Sequence, residues 1–292
     1  MELLKGFEHF VSQNEPLAPF TWLRIGGAAE YYAEPTNVND LAEVVRRCRE
    51  HDIPVRLLGN GSNLLIRDEG VPGMVIRLNH PSFSEISVSG QTVTAGGGAR
   101  LAHVISTAVG AGLAGLESLV GIPGTIGGAL HSNSGSHGSD IGQWTVKVEA
   151  MTRSGEVVQR SGEELQFAYR QSSLDELAIL KAEFQLESVD AGELTRKMQK
   201  LWIMKKSSQP DGDQSTCCPF CNASDMSAGT LIEQAGLKGT SVGGAQVSES
   251  QGNFIIANAD ATADDVLRLM DLIRSRVHEV LGIELQNQIV VW

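Results

Sequence analysis

Apolar residues first recur at helical spacing in Leu41, Val44, Val45 and Cys48, which share one face and predict a helix over 39–51 with Asn39 as its cap. The run Ile53-Pro54-Val55-Arg56-Leu57-Leu58 then predicts a strand that ends at Gly59-Asn60-Gly61-Ser62-Asn63, and Leu64-Leu65-Ile66 follows as a second strand. From about residue 76 the pattern changes to alternation. Ile86 to Ala95 alternates across Ser89-Gly90, and Val146–Val148 to Val157–Gln159 alternates across Ser154-Gly155, so both read as hairpins. Between them Arg100–Leu113 reads as a helix, and Leu177–Val189 as a further strand region.

A polar helix over 193–206 leads into Ser207-Ser208-Gln209-Pro210-Asp211-Gly212-Asp213-Gln214-Ser215, whose turn-forming composition marks a boundary. A C-terminal module begins there. Its clearest element is a helix over Ala263–Leu281, with Thr262 as cap, Asp265 at the third helical position and Gly282 as the residue that ends it. Val266, Leu269, Met270, Ile273, Val277 and Leu281 form its apolar face, and Ile283–Trp292 alternates like a closing strand. The fold class is α+β, in three bodies over 1–75, 76–207 and 208–284, with a strand over 285–292 that can rejoin the first.

Composition narrows the function. Of 292 residues, 41% are apolar and 20% charged, enough for packed cores. The net charge of −12 argues against the basic stripe that a nucleic-acid partner requires. Met1–Glu8 has neither the basic start nor the apolar run of a secretory leader, so the protein is expected in the cytoplasm. The weakly charged stretch His103–Leu130 is broken by Glu117, Pro123 and repeated glycines, which does not suit membrane insertion. Three of the four cysteines crowd into Cys217-Cys218-Pro219-Phe220-Cys221, which is no disulfide framework. Cys218 to Cys221 also spells C-x-x-C, a redox pair or half a zinc site; no second C-x-x-C or H-x-x-x-H supplies the other ligands, and no metal is assigned.

Glycine is the outlier, with 32 residues that fall in clusters. Gly59-Asn60-Gly61-Ser62-Asn63 follows an apolar strand, where successive N–H groups can cup a pyrophosphate; taken alone it reads equally as a hairpin turn. It lacks the Lys-Ser or Lys-Thr of a Walker A loop and the spacing of a Rossmann fingerprint, which disfavours ATP. Gly96-Gly97-Gly98 and Gly121-Ile122-Pro123-Gly124-Thr125-Ile126-Gly127-Gly128-Ala129 offer further bare backbone, suited to an extended cofactor or to a crowded interior turn.

Five strings in order make the pattern specific. Thr21-Trp22-Leu23-Arg24-Ile25-Gly26-Gly27, Leu58 to Leu65, Gly121 to Ala129, Tyr169-Arg170-Gln171-Ser172 and Leu231-Ile232-Glu233-Gln234-Ala235-Gly236-Leu237-Lys238-Gly239 together resemble the UDP-N-acetylenolpyruvoylglucosamine reductase family, from about residue 15 to the C-terminus. The resemblance implies a vanillyl-alcohol-oxidase-like FAD-binding fold of two subdomains, followed by a C-terminal α/β domain that binds substrate. It also implies the use of FAD and NADPH to reduce the enolpyruvyl ether of a UDP-sugar to UDP-N-acetylmuramate, in peptidoglycan precursor synthesis. The length matches the shorter family type, without an inserted tyrosine loop.

Carried over by motif, Gly59, Asn60, Gly61, Ser62, Asn63 and Gly121, Ile122, Pro123, Gly124, Thr125, Gly127, Gly128, Ala129 would bind FAD. Tyr169 and Arg170 would bind substrate, with the Arg170 guanidinium on its carboxylate; the residues alone also allow a surface arginine. Ser215 to Ala223 aligns with the family's Ser-Ala-Gly-Ser/Cys-x-Phe-Lys/Arg-Asn-Pro, which puts Cys218 on the proton donor and Asn222 on a substrate contact. Cys221 replaces the family's basic residue and Ala223 its proline. In Leu285-Gln286-Asn287-Gln288-Ile289, Gln288 stands where the family has a catalytic glutamate, and His131-Ser132-Asn133-Ser134 stands where many members have Arg-Met-Asn-Ala. These departures leave a second reading: a flavin- or UDP-sugar-binding homologue with a regulatory or structural role.

Overall fold

The computed structural model describes residues 5–207, 209–210, 215–223 and 226–292. Two compact units emerge, the first from residues up to Gln13, Glu30–Asn60 and Pro72–Lys205, the second from Asn14–Ala29, Gly61–Val71 and Lys206–Trp292. The boundary composition at Ser207–Ser215 lies largely outside the described residues.

In the first unit strand Val55–Leu58 pairs in parallel with Met74–Arg77. Helix α1 (Val38–Glu50) buries Leu41, Val44, Val45 and Cys48 in one core with Ala33, Met74 and Ile76. Each such aliphatic side chain is worth about 1.5–3 kcal/mol of burial. The stripe is the predicted one; the cap is not. Asn37, in extended conformation, accepts the Asp40 N–H at 3.0 Å, while Asn39 already lies inside the helix. An asparagine two residues earlier reaches the same orphan donors from outside the first turn. Burial pushes the Cys48 thiol up to about 11, so it packs as a small hydrophobe.

Both expected hairpins form, Ile86–Ser89 with Thr92–Gly96 and Thr145–Met151 with Val157–Ser161. Ala178–Gln185 joins them into a five-stranded antiparallel sheet. Helix α2 (Leu101–Gly110), helix α3 (Ile126–His131) and Leu194 of helix α4 (Ala191–Ser207) share a core with this sheet. The helix expected to reach Leu113 stops earlier because Gly112, at φ +69°, turns the chain into strand Leu113–Ala114, which pairs with Glu187–Ser188.

The second unit holds an antiparallel sheet in the order Thr216–Cys217, Ile255–Ala257, Ala245–Val247, Ser241–Val242, packed with helices α5 (Ala228–Gln234) and α6 (Ala263–Leu281). Helix α6 matches its prediction at both ends: Thr262 and Asp265 cap each other's N–H, and Gly282 closes it at φ +69°. Sequence reading missed Asp68, which accepts the Ala263 and Asp264 N–H groups at 3.0 and 3.2 Å. The closing strand is shorter than expected. Only Val290–Val291 pairs as a strand, parallel to Leu64–Leu65, because the preceding residues spend their backbone groups on the segment around Pro219. The strands on either side of Gly59–Asn63 therefore pair elsewhere, Val55–Leu58 with Met74–Arg77 and Leu64–Leu65 with Val290–Val291, so no hairpin forms there.

Candidate active site

In the first unit the glycine clusters converge. Thr125 caps α3, its Oγ1 accepting the Gly128 N–H at 3.3 Å, and a Cβ on Gly59 would lie 3.0 Å from that same oxygen. Gly127 N donates to Gly97 O at 2.8 Å, and Ile126 N to Ala99 O at 2.9 Å. Gly121 and Gly124 take φ +80° and +135°, which glycine alone adopts without strain. Among the described residues the N–H groups of Asn60, Gly121, Gly124 and Thr125 donate no hydrogen bond to the protein. Bare backbone with unspent donors fits the pyrophosphate and flat ring system of FAD.

The loop is reached through a buried glutamate. Glu117 accepts Gly115 N at 2.6 Å and pairs with Lys197 of α4 at 2.7 Å. Burial alone pushes its carboxyl up, but these hydrogen bonds outweigh it and hold the group below the usual carboxylate range.

Phe167–Ala168 and Gln171–Ser172 form a two-residue hairpin whose tip is Tyr169-Arg170. Tyr169 is 60% exposed, and Arg170 sits at φ +57°, a conformation costly for a side chain of its size. The Arg170 guanidinium lies 5.7 Å from the Tyr169 ring centroid. Its Nε is buried and has no hydrogen-bond partner among the described residues. Two side chains pin the hairpin: Asn133, buried, donates from Nδ2 to Ala168 O at 2.8 Å, and Ser172 Oγ donates to His131 O at 3.0 Å. Asn133 also accepts Gly142 N at 3.1 Å. Its signals in the sequence are its place just after the third glycine cluster and its match to the asparagine of the family's Arg-Met-Asn-Ala.

In the second unit Cys217 ends the edge strand, and burial, with Cys218 adding, pushes its thiol far above the ordinary range. Cys218 is half-buried. The C-terminal segment runs alongside: Gln288 N donates to Pro219 O at 2.7 Å, and Cys221 N to Gln286 O at 2.9 Å. Cys218 and Gln288 therefore lie on neighbouring backbones. Asn63 Nδ2 donates to Gln288 O at 3.0 Å, and Gly61, at φ +61°, has no room for a Cβ, which would fall 2.2 Å from Phe20 O. Asn222 is exposed and its Oδ1 accepts Ala228 N, at the start of α5, at 3.0 Å. Among the described residues no group of three His, Cys, Asp or Glu is placed to hold a metal ion, and no helix is long and apolar enough to cross a membrane.

A family model described as UDP-N-acetylenolpyruvoylglucosamine reductase, C-terminal domain, matches residues 209–292, and an FAD binding domain matches residues 29–161. The UDP-N-acetylenolpyruvoylglucosamine reductase of Paramagnetospirillum magneticum is 42% identical over 289 residues, covering 99% of this chain and 94% of its own. The chain belongs to the UDP-N-acetylenolpyruvoylglucosamine reductase family. The Bacillus subtilis member is 35% identical over 96% of this chain and 93% of its own. The crystal structure of the Thermus caldophilus reductase superposes with a TM-score of 0.81 at 35% identity, covering 95% of this chain and 97% of that one. A looser likeness, TM-score 0.52 at 14% identity over 97% of this chain and 64% of the other, links the fold to Phl p 4.0202, a glucose dehydrogenase. The architecture is the vanillyl-alcohol-oxidase-like FAD-binding fold expected from the sequence.

Proposed function

We propose that this chain reduces UDP-N-acetylenolpyruvoylglucosamine to UDP-N-acetylmuramate, with NADPH as reductant and FAD as cofactor, in the cytoplasmic synthesis of peptidoglycan precursors. Residues 1–75 and 76–207 would hold FAD, and 208–284 the UDP-sugar. The observation that carries the reading is Arg170, whose buried Nε has no partner among the described residues at the tip of a strained hairpin. A buried, partnerless guanidinium nitrogen is costly unless an anion arrives to complete it.

FAD held by the glycine loops would supply the two-electron chemistry that links NADPH oxidation to reduction of the enolpyruvyl group at C3. The chain's own residues do the rest. The bare backbone of Gly59–Asn63 and Gly121–Ala129 binds the cofactor's phosphates and ring. Arg170 holds the substrate carboxylate and stabilises the negative charge that builds on it as C3 is reduced. As the family motifs assign them, Tyr169 and Asn222 contact the substrate, Gln288 offers a neutral hydrogen-bond donor, and Cys218 delivers a proton to C2.

The test is anaerobic. NADPH should bleach the flavin absorbance of the purified protein, and the enolpyruvyl substrate should restore it. A flavin that NADPH bleaches but the substrate leaves reduced would refute the reductase reading. Cys218→Ala should retain the bleaching step and lose substrate reduction by at least about a hundredfold, the usual share of a general acid.

A further inference from the structure

Asn253 is buried, 8% exposed, in the turn between strands Ala245–Val247 and Ile255–Ala257, and its amide makes three hydrogen bonds. Phe220 N donates to its Oδ1 at 3.3 Å, while its Nδ2 donates to Phe220 O at 2.7 Å and to Cys218 Sγ at 3.2 Å. The first two bonds settle which end is which. A flipped amide would set its NH2 against the Phe220 N–H and its oxygen against the Phe220 carbonyl. Phe220 itself is 1% exposed in the second unit's core, so this frame is held by packing. The N–H aimed at Cys218 is therefore built in. The turn is rigid as well: Ser248 N bonds Phe254 O at 2.8 Å, and a Cβ on Gly252 would fall 2.5 Å from Gly229 O.

We propose that Asn253 is the positioning residue for proton delivery: it fixes Cys218 Sγ and, by donating to the sulfur, makes the thiol a readier acid. The inference rests on Cys218 being the proton donor. An N–H donor binds a thiolate more strongly than a thiol, so it favours release of the proton. The step balances simply: the S–H bond breaks, the proton forms a C–H bond at C2 as NADPH-derived hydride adds at C3, and the thiolate regains a proton from water. Titratable and charged groups on the surrounding elements include Cys217, buried and kept neutral, Cys221, Glu249 against Gly239, and Glu233 paired with Lys238 at 2.9 Å. The adjoining C-terminal segment brings amides only, in Gln286, Asn287 and Gln288.

The experiment follows Cys218 alkylation by iodoacetamide against pH in the flavin-loaded full chain, read on its own peptide by mass spectrometry. In the unaltered protein the midpoint should lie below the ordinary thiol value of ~8.5. Asn253→Asp keeps an acceptor for Phe220 N and replaces the donor with a like charge; it should raise the midpoint by about one pH unit or more. Asn253→Ala should raise it less. The alkaline fall of kcat should move by the same interval in each variant, with flavin absorbance unchanged. A native midpoint above the ordinary thiol value, or an unmoved midpoint in a folded Asn253→Asp protein, overturns the inference. If Cys218→Ala still reduces substrate, the proton-donor reading fails on its own, while the alkylation midpoints still judge the Asn253–Cys218 bond.

Discussion

Gly97→Ala tests whether the convergence of glycine clusters in the first unit depends on bare backbone. A Cβ at Gly97 would lie 1.8 Å from Ile179 O, whereas carbon and carbonyl oxygen rest no closer than about 3.3 Å. The two backbones must therefore part by roughly 1.5 Å, the difference between those distances. Gly97 N donates to Leu180 O at 2.8 Å, and Gly97 O accepts Gly127 N at 2.8 Å. Stretching either bond that far takes it outside hydrogen-bonding range. Two backbone bonds at about 1 kcal/mol each and an overpacking cost of about 1–3 kcal/mol give a loss of about 3–5 kcal/mol. That is a large share of the roughly 5–15 kcal/mol that holds a domain folded. Gly110→Ala provides the control, since nothing lies within 4 Å of its Cβ and it sits in helix α2; it should be neutral or stabilise by up to about 1 kcal/mol. Urea unfolding and retained flavin absorbance read both variants. If Gly97→Ala stays within about 1 kcal/mol of the parent and keeps its flavin, the close-approach reasoning is wrong, because relief of such a clash cannot be free.

Three further outcomes follow from the same structure. Arg170→Lys keeps the charge but loses the planar fork, so substrate KM should rise about tenfold to a hundredfold with the flavin spectrum unchanged; equal steady-state constants would remove Arg170 from the substrate site. Glu117 has a depressed folded pKa, so its contribution is present above the unfolded value of ~4.3 and is lost as pH falls through the lower folded value. The melting temperature of the parent should accordingly drop more steeply in acid than that of Glu117→Gln, and parallel curves would contradict the assignment. Thr262→Ala removes the acceptor for Asp265 N at the start of α6 and should cost about 1 kcal/mol in urea unfolding, with unaltered flavin binding.

What the sequence determined by itself was local. The apolar stripe of α1, both hairpins, and α6 with its cap at Thr262 and its stop at Gly282 all follow from residues within a few positions of one another. Such geometry is set by backbone sterics and the spacing of one or two turns, which the chain carries wherever it goes. Even there the choice between Asn37 and Asn39 as cap escaped, since both stand beside the same stripe. The ordered motifs named the family because a shared ancestry preserves strings, although each glycine loop alone allowed an ordinary turn.

Only the tertiary structure decided which distant residues meet. Gly59 against Thr125, Gly97 under Gly127, Asp68 on α6, Asn133 beneath the Arg170 hairpin, Gln288 beside Cys218 and Asn253 on its sulfur are all pairings across long stretches of chain. Asn253 carries no local mark that separates it from any other turn asparagine. Its role exists because the strand that bears Cys217 pairs with the strand that follows Asn253, and that pairing is chosen by the burial of a whole core rather than by any spacing along the sequence.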